Sequence, residues 1–242
     1  MSPLRSAVTL PAVVVGVVTL LVALLIGLGL PIAVAAGILL TVSFARVTGR
    51  RALRVLRRSL KARPALVGEF PRLHNTVGGL CLTHGIQPPE LFVIDSPAGN
   101  AAAMAGPDGA SIVLTTGAAD RLGLVELEAL VAHLLVRCTD DHLRGETTAA
   151  AMGRLAGVRF VAFAFASAGP DRVMQADLDG AEWTRFPPGM QTALRGLADL
   201  GTEVDASVST SRLWLLQPDG RTDVQTTSHP TVEVRVAALE EC

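Results

Sequence analysis

The sequence predicts an α+β protein: a two-helix apolar hairpin at the N-terminus, then a mostly helical domain with a small β-sheet. Three observations carry this. Residues 6–45 contain no charged side chain. Leu124, Leu127, Leu130, Val131, Leu134 and Leu135 recur at the spacing of one helix face. Leu91–Ile94 and Ser111–Thr116 are short apolar runs bounded by Pro and Gly turn signals, as strands are.

Forty residues of helix would span about 60 Å, twice a hydrocarbon core of about 30 Å. Two spans are therefore expected, about 7–27 and 30–46, turning at Gly27-Leu28-Gly29-Leu30-Pro31. They make residues 1–46 a membrane anchor. A cleaved signal peptide is the competing reading, since Ala33-Val34-Ala35 resembles a cleavage site. Against it, the apolar run continues to Phe44 and only Arg5 precedes it.

The next segment, 47–63, reads as a basic juxtamembrane helix. Arg46, Arg50, Arg51, Arg54, Arg57, Arg58, Lys61 and Arg63 fall together, and the first acidic residue of the chain is Glu69. Such a block beside an apolar span marks the cytoplasmic side and attracts anionic lipid. Membrane lipid is thus an expected partner and nucleic acid is not. The location expected is the cell membrane, multi-pass, with the main domain, 64–242, in the cytoplasm.

Within that domain, Pro64 stops the basic helix. A second helix is expected over 65–85, ended by Gly85 and Pro88-Pro89. The central helix runs over about 123–138, with Glu126 and Glu128 in the first turn, where the helix dipole favours them. Residues 147–168 are apolar and of helical length; Arg154 and Arg159 argue for a core or surface helix over a third span. Helices at 171–183 and 189–200 follow, then a polar loop over 201–211, and Leu213–Leu216 as a strand or a helical turn. Ser228 is placed to cap a last helix, with Pro230 in its first turn. The cysteines Cys81, Cys138 and Cys242 are odd in number and lack C-x-x-C spacing, so they predict neither a disulfide framework nor a thiolate metal site.

Several motifs stand in one order. Pro89 to Met104 contains Asn100-Ala101. Ile112 to Gly117 is a strand entering Thr115-Thr116-Gly117. Glu126-Leu127 leads to Ala132-His133, Arg172-Val173-Met174-Gln175-Ala176-Asp177 follows, and Ser228-His229-Pro230 runs on to Glu233, Arg235, Val236 and Leu239. Together with the apolar hairpin, these resemble the HtpX-type membrane zinc metallopeptidases, a gluzincin family. The resemblance covers most of 64–240. It implies a zincin-like domain, a zinc cofactor, proteolysis of protein or peptide substrates and a place in protein quality control.

The departures fall on the chemistry. The family's H-E-x-x-H aligns with His133-Leu134-Leu135-Val136-Arg137, and its third ligand, a glutamate, aligns with Val173. The resemblance makes His133 a relic metal ligand, Leu134 the replaced general base and Arg137 the replaced second histidine. Zinc requires three or four N, O or S ligands at about 2.0–2.3 Å. One imidazole beside a fixed guanidinium charge does not supply them, and leucine takes no proton from water. Asp177 matches the residue that orients the first histidine, so a His133–Asp177 hydrogen bond is expected, with Arg137 reaching the same carboxylate.

The expected protein is therefore a catalytically inactive pseudopeptidase that binds or regulates a protein or peptide, with no cofactor. Strand 111–116 is the candidate to pair with an extended peptide. The alternative is an active zinc metalloendopeptidase with substitute ligands from Asp140, Asp141 or His142. A third reading is a membrane scaffold without a peptide groove. For Cys138 a nucleophilic role beside His133 is not expected, because residues five apart point to different helix faces.

Overall fold

This computed structural model describes residues 3–156, 171–226 and 229–242. Helix α1 (Pro3–Leu25) and helix α2 (Leu30–Ser59) open the chain. They pack side by side through Gly16 and Gly37: a Cβ on Gly16 would stand 2.0 Å from Thr41 Oγ1 and one on Gly37 3.0 Å from Gly16 O. Helix α2 is long and apolar enough to cross a membrane. It does not stop where two separate helices were expected. No proline intervenes before Pro64, so the apolar span and the basic segment form one continuous helix.

Four strands follow in the spatial order β1-β2-β4-β3. They are β1 (Arg63–Pro64), β2 (Glu90–Ile94), β3 (Ala101–Gly106) and β4 (Gly109–Thr115). Strand β4 lies parallel to β2 and antiparallel to β3, and β1 is antiparallel to β2. β4 is therefore flanked on both sides, which overturns its expected role as a free edge for a peptide. The outer side of β3 is occupied too. Leu215 N donates to Ala101 O at 2.7 Å, Ala102 bridges Trp214, and Ala105 N donates to Thr147 Oγ1.

Asn100 holds this corner. Its Nδ2 donates to the carbonyls of Thr202 and Leu216, and its Oδ1 accepts from the amides of Ala101 and Leu216. A buried amide so satisfied fixes the entry to β3 without relying on strand propensity.

Helix α3 (Pro71–His84) starts later than expected, because 63–65 pair with β2: Ala65 N donates to Leu91 O and Pro71 occupies the first turn. A short α4 (Thr116–Arg121) is capped by Thr115, whose side chain accepts from Ala118 N. The central helix α5 (Leu124–Thr139) has the predicted extent and buries Leu127, Leu130, Val131, Leu134 and Leu135.

Helix α6 (Leu143–Ala156) contains the start of the apolar run read as 147–168; the rest of that run lies outside the described residues from 157 onward. Helix α7 (Asp171–Thr184) and helix α8 (Pro187–Asp199) come next. A 3₁₀ turn, Val208–Leu213, begins in the segment expected to be loop, 201–211, and runs on to Leu213, where a strand or helical turn was expected. The last helix, α9 (Val232–Glu240), is capped by Thr231, which accepts from Val234 N; Ser228 lies outside the described residues.

Helices α5 and α7 cross closely because of Gly180. A Cβ there would meet His133 N at 2.9 Å and His133 Cα at 3.1 Å, both rigid backbone atoms. Gly180→Val is expected to force the helices apart, an overpacking penalty of about 1–3 kcal/mol. Thermal melts followed by circular dichroism should show a Tm several degrees lower, with Gly180→Ala intermediate.

Candidate functional site

The crossing of α5 and α7 brings together the residues that the motifs single out. His133, Leu134, Arg137, Val173 and Asp177 are all buried, between 0 and 4% exposed. Leu134 is core, and Val173 presents no donor atom where a third ligand would stand.

His133 Nδ1 lies 2.8 Å from Asp177 Oδ1, so the expected partners do meet. The contact is short but poorly directed: Nδ1 makes no hydrogen bond of normal angular geometry. The dominant partner of Asp177 is Arg235 of α9. Its Nε reaches Oδ2 at 2.6 Å and its Nη2 reaches Oδ1 at 2.7 Å, a bidentate pair. Its Nη1 donates to Leu215 O at 2.7 Å. Burial works to raise the Asp177 carboxyl, but Arg235 and His133 outweigh it and hold it below the usual range. Burial lowers the His133 imidazole, with Asp177 opposing and Arg235 and Arg137 adding to the effect. The set is thus a carboxylate, a guanidinium and a neutral imidazole.

Arg137 does not join it, contrary to expectation. Its Nη2 donates to Glu146 Oε2 at 2.7 Å and to Arg212 O at 3.2 Å. Glu146, in the first turn of α6, is 1% exposed and is the nearest carboxylate on the side where Arg137 emerges from α5. Arg172 Nη1 approaches both Asp140, at 3.2 Å, and Glu146, at 3.9 Å. Two arginines thereby interlock with two carboxylates at the edge of a cleft of about 370 Å³.

The substitute ligands are engaged elsewhere. Asp140 Oδ1 accepts from the His142 amide and lies 2.9 Å from its Nδ1, and Oδ2 faces Arg172. Asp141 is exposed. Among the described residues, no three His, Cys, Asp or Glu side chains group as a metal site would need. His133 offers one imidazole, both Asp177 oxygens face Arg235, and the second ligand position carries a guanidinium. These donors do not fit zinc.

The other candidates have structural surroundings. Burial pushes the Cys138 thiol up to about 12, which keeps it protonated and unreactive. His74 Nε2 lies 2.8 Å from Ala65 O. His84 stacks on Trp183 with ring centroids 4.0 Å apart. His229 Nε2 lies 2.9 Å from Trp214 O, and burial brings its imidazole down to about 4.

Comparison with known proteins adds the decisive observation. Over 210 residues the chain is 28% identical to a protease HtpX homolog of Dictyoglomus turgidum, covering 71% of this chain and 69% of that protein. Over 221 residues it is 27% identical to a protease HtpX homolog of Tropheryma whipplei, covering 74% and 75%. The chain resembles the protease HtpX homologs over about 70% of its length. A further HtpX homolog, of Ligilactobacillus salivarius, is 24% identical over 216 residues, covering 71% of this chain and 73% of that protein. No family model matches, and no solved structure does.

Within this HtpX-like chain, sequence reasoning paired His133 with Asp177 but missed Arg235 and Glu146. The signal for Arg235 was present in the closing motif, without a partner assigned to it. Glu146 carried none, since it lies nine residues after Arg137 and beyond a helix end.

Removing one member of a buried ion pair leaves the other uncompensated, typically about 3–5 kcal/mol. Asp177→Ala should lower Tm more than His133→Ala, because it strands Arg235, and the comparison is read from melts in one detergent.

Acid should also destabilise the fold. An imidazole with a lowered folded pKa is favoured neutral, and the unfolded chain takes up that proton near pH 6.5. The His229 contribution is therefore whole above pH 6.5 and is lost as pH falls toward 4, a loss on the order of 3 kcal/mol. Tm measured between pH 7.5 and 4.5 should fall, and fall less in His229→Gln.

Proposed function

We propose that this HtpX-like protein is a membrane-anchored pseudopeptidase that binds or regulates other proteins and does not hydrolyse peptides. The observation that carries the reading is Arg137. It stands where the family resemblance places the second metal ligand, and Glu146 neutralises it. A guanidinium held by a buried carboxylate resists displacement by a dication, which would also have to meet a second fixed positive charge at Arg172.

On this reading α1 and α2 both cross the membrane, and the domain stands on the cytoplasmic side beside the arginine-rich end of α2. The partner is a protein or peptide. Because β4 is flanked, β3 is covered by Trp214, Leu215 and Thr147, and the other edge strand β1 is only two residues long with Pro64 in it, recognition uses side-chain surface and not strand addition. A role beside an active family protease in membrane protein quality control is the setting that the resemblance supports.

The test is metal content after purification in mild detergent without chelator. Zinc well below one per chain, unchanged by His133→Ala, is expected. About one zinc per chain, lost on that substitution, would return the protein to the peptidases. Anchoring is checked separately: the chain should stay in carbonate-washed membranes, and recovery in the soluble fraction would refute it.

A further inference from the structure

The basic segment is not uniform once folded. Arg57 stacks on Phe92, its Cζ 4.2 Å from the ring centroid, and bonds Glu90 and Ser111. Lys61 pairs with Asp205, and Arg63 with Glu69 and Asp95. Arg46, Arg50, Arg51, Arg54 and Arg58 are exposed and, among the described residues, meet no carboxylate. Arg50, Arg51, Arg54 and Arg58 lie on the side of α2 away from the buried Ala52, Leu56 and Leu60, and Arg46 lies at its border.

Four of these five, Arg46, Arg50, Arg54 and Arg58, recur every fourth residue, a ridge that climbs the helix by about 6 Å per step. The same ridge runs down α2 through Val42, Ile38 and Val34. Those three valine and isoleucine side chains form one wall of an open cleft of about 250 Å³, and Val13, Val17 and Leu20 of α1 form the other. The cleft is almost wholly apolar. Thr41 in its lining turns its hydroxyl to Gly37 O at 2.8 Å. An apolar groove therefore ends one helical turn below an unpaired pair of guanidinium groups.

We propose that this arrangement binds an anionic phospholipid, with part of an acyl chain along Val34, Ile38 and Val42 and the phosphate between Arg46 and Arg50. The inference rests on the membrane anchoring proposed above. The groove is smaller than the roughly 300–1,000 Å³ pockets that enclose whole small molecules, as suits a chain segment whose head lies outside it. Arginine suits the phosphate because its planar fork donates two parallel N–H bonds. A zwitterionic lipid brings a cation to the same ridge and is disfavoured, which makes the site selective for net negative headgroups.

Height separates this site from a diffuse basic patch. The headgroup layer adds only about 5–8 Å to each side of the hydrocarbon core. On an upright continuous helix, Arg54 and Arg58 stand about 12 and 18 Å beyond Arg46. They clear the layer, while Arg46 and Arg50 lie within it.

The test is native mass spectrometry of the full chain released from detergent, with phosphatidylglycerol or phosphatidylcholine of identical acyl chains. Retention of phosphatidylglycerol should exceed that of phosphatidylcholine by roughly tenfold or more. Arg46→Gln with Arg50→Gln should bring the two to parity. Ile38→Trp, which fills the groove, should lower both. Arg54→Gln with Arg58→Gln should leave the preference intact. Equal retention of both lipids by the wild type, or equal loss from the Arg54/Arg58 pair, overturns the proposal. A chain that stays in washed membranes yet shows no preference overturns the lipid site alone. A chain found in the soluble fraction overturns the anchor and the site together.

Discussion

The pairing of Asp177 with Arg235 ties the C-terminal helix to the centre of the molecule. It joins α7 to α9, reaches His133 on α5, and through Leu215 O touches the segment that covers β3. Three helices and the sheet edge meet at one carboxylate. Both charges are fully buried, so their desolvation is offset only while every partner keeps its place. The close approach at Gly180 serves the same junction, since Asp177 can reach across to His133 only where the backbones nearly touch.

Beside this junction lies a second set of charges. Arg137 of α5 and Glu146 of α6 pair at 2.7 Å, both almost fully buried, and cross-tie those two helices. Leu134 and Val173 pack as buried apolar side chains.

The elements legible in the sequence were those in which local pattern and burial agree. The apolar periodicity of α5 sits on one helix in a core, and β2 and β4 are rich in branched residues. What could not be read depended on distant partners. β3 is mostly alanine and glycine, poor strand formers; it is a strand because β4 pairs with it and Asn100 pins its start. The onset of α3 moved because Ala65 bonds Leu91, a contact across 26 positions. At the site, His133 and Asp177 were legible because a family register placed them. Arg137 was assigned to Asp177 on charge alone, and Arg235 had already filled that carboxylate.

The unbroken course of α2 has a mechanical consequence. Thirty residues of helix make a shaft about 45 Å long, of which the uncharged part below Arg46 is about 24 Å. The remainder is no tether. It is a rigid post, and the turn of the β3–β4 hairpin leans on it: a Cβ on Gly106 would lie 2.7 Å from Leu53, and one on Gly49 would lie 3.6 Å from Pro107. On the anchoring proposed above, this contact sets the height of the domain over the bilayer, so its partners are selected by geometry as well as by chemistry.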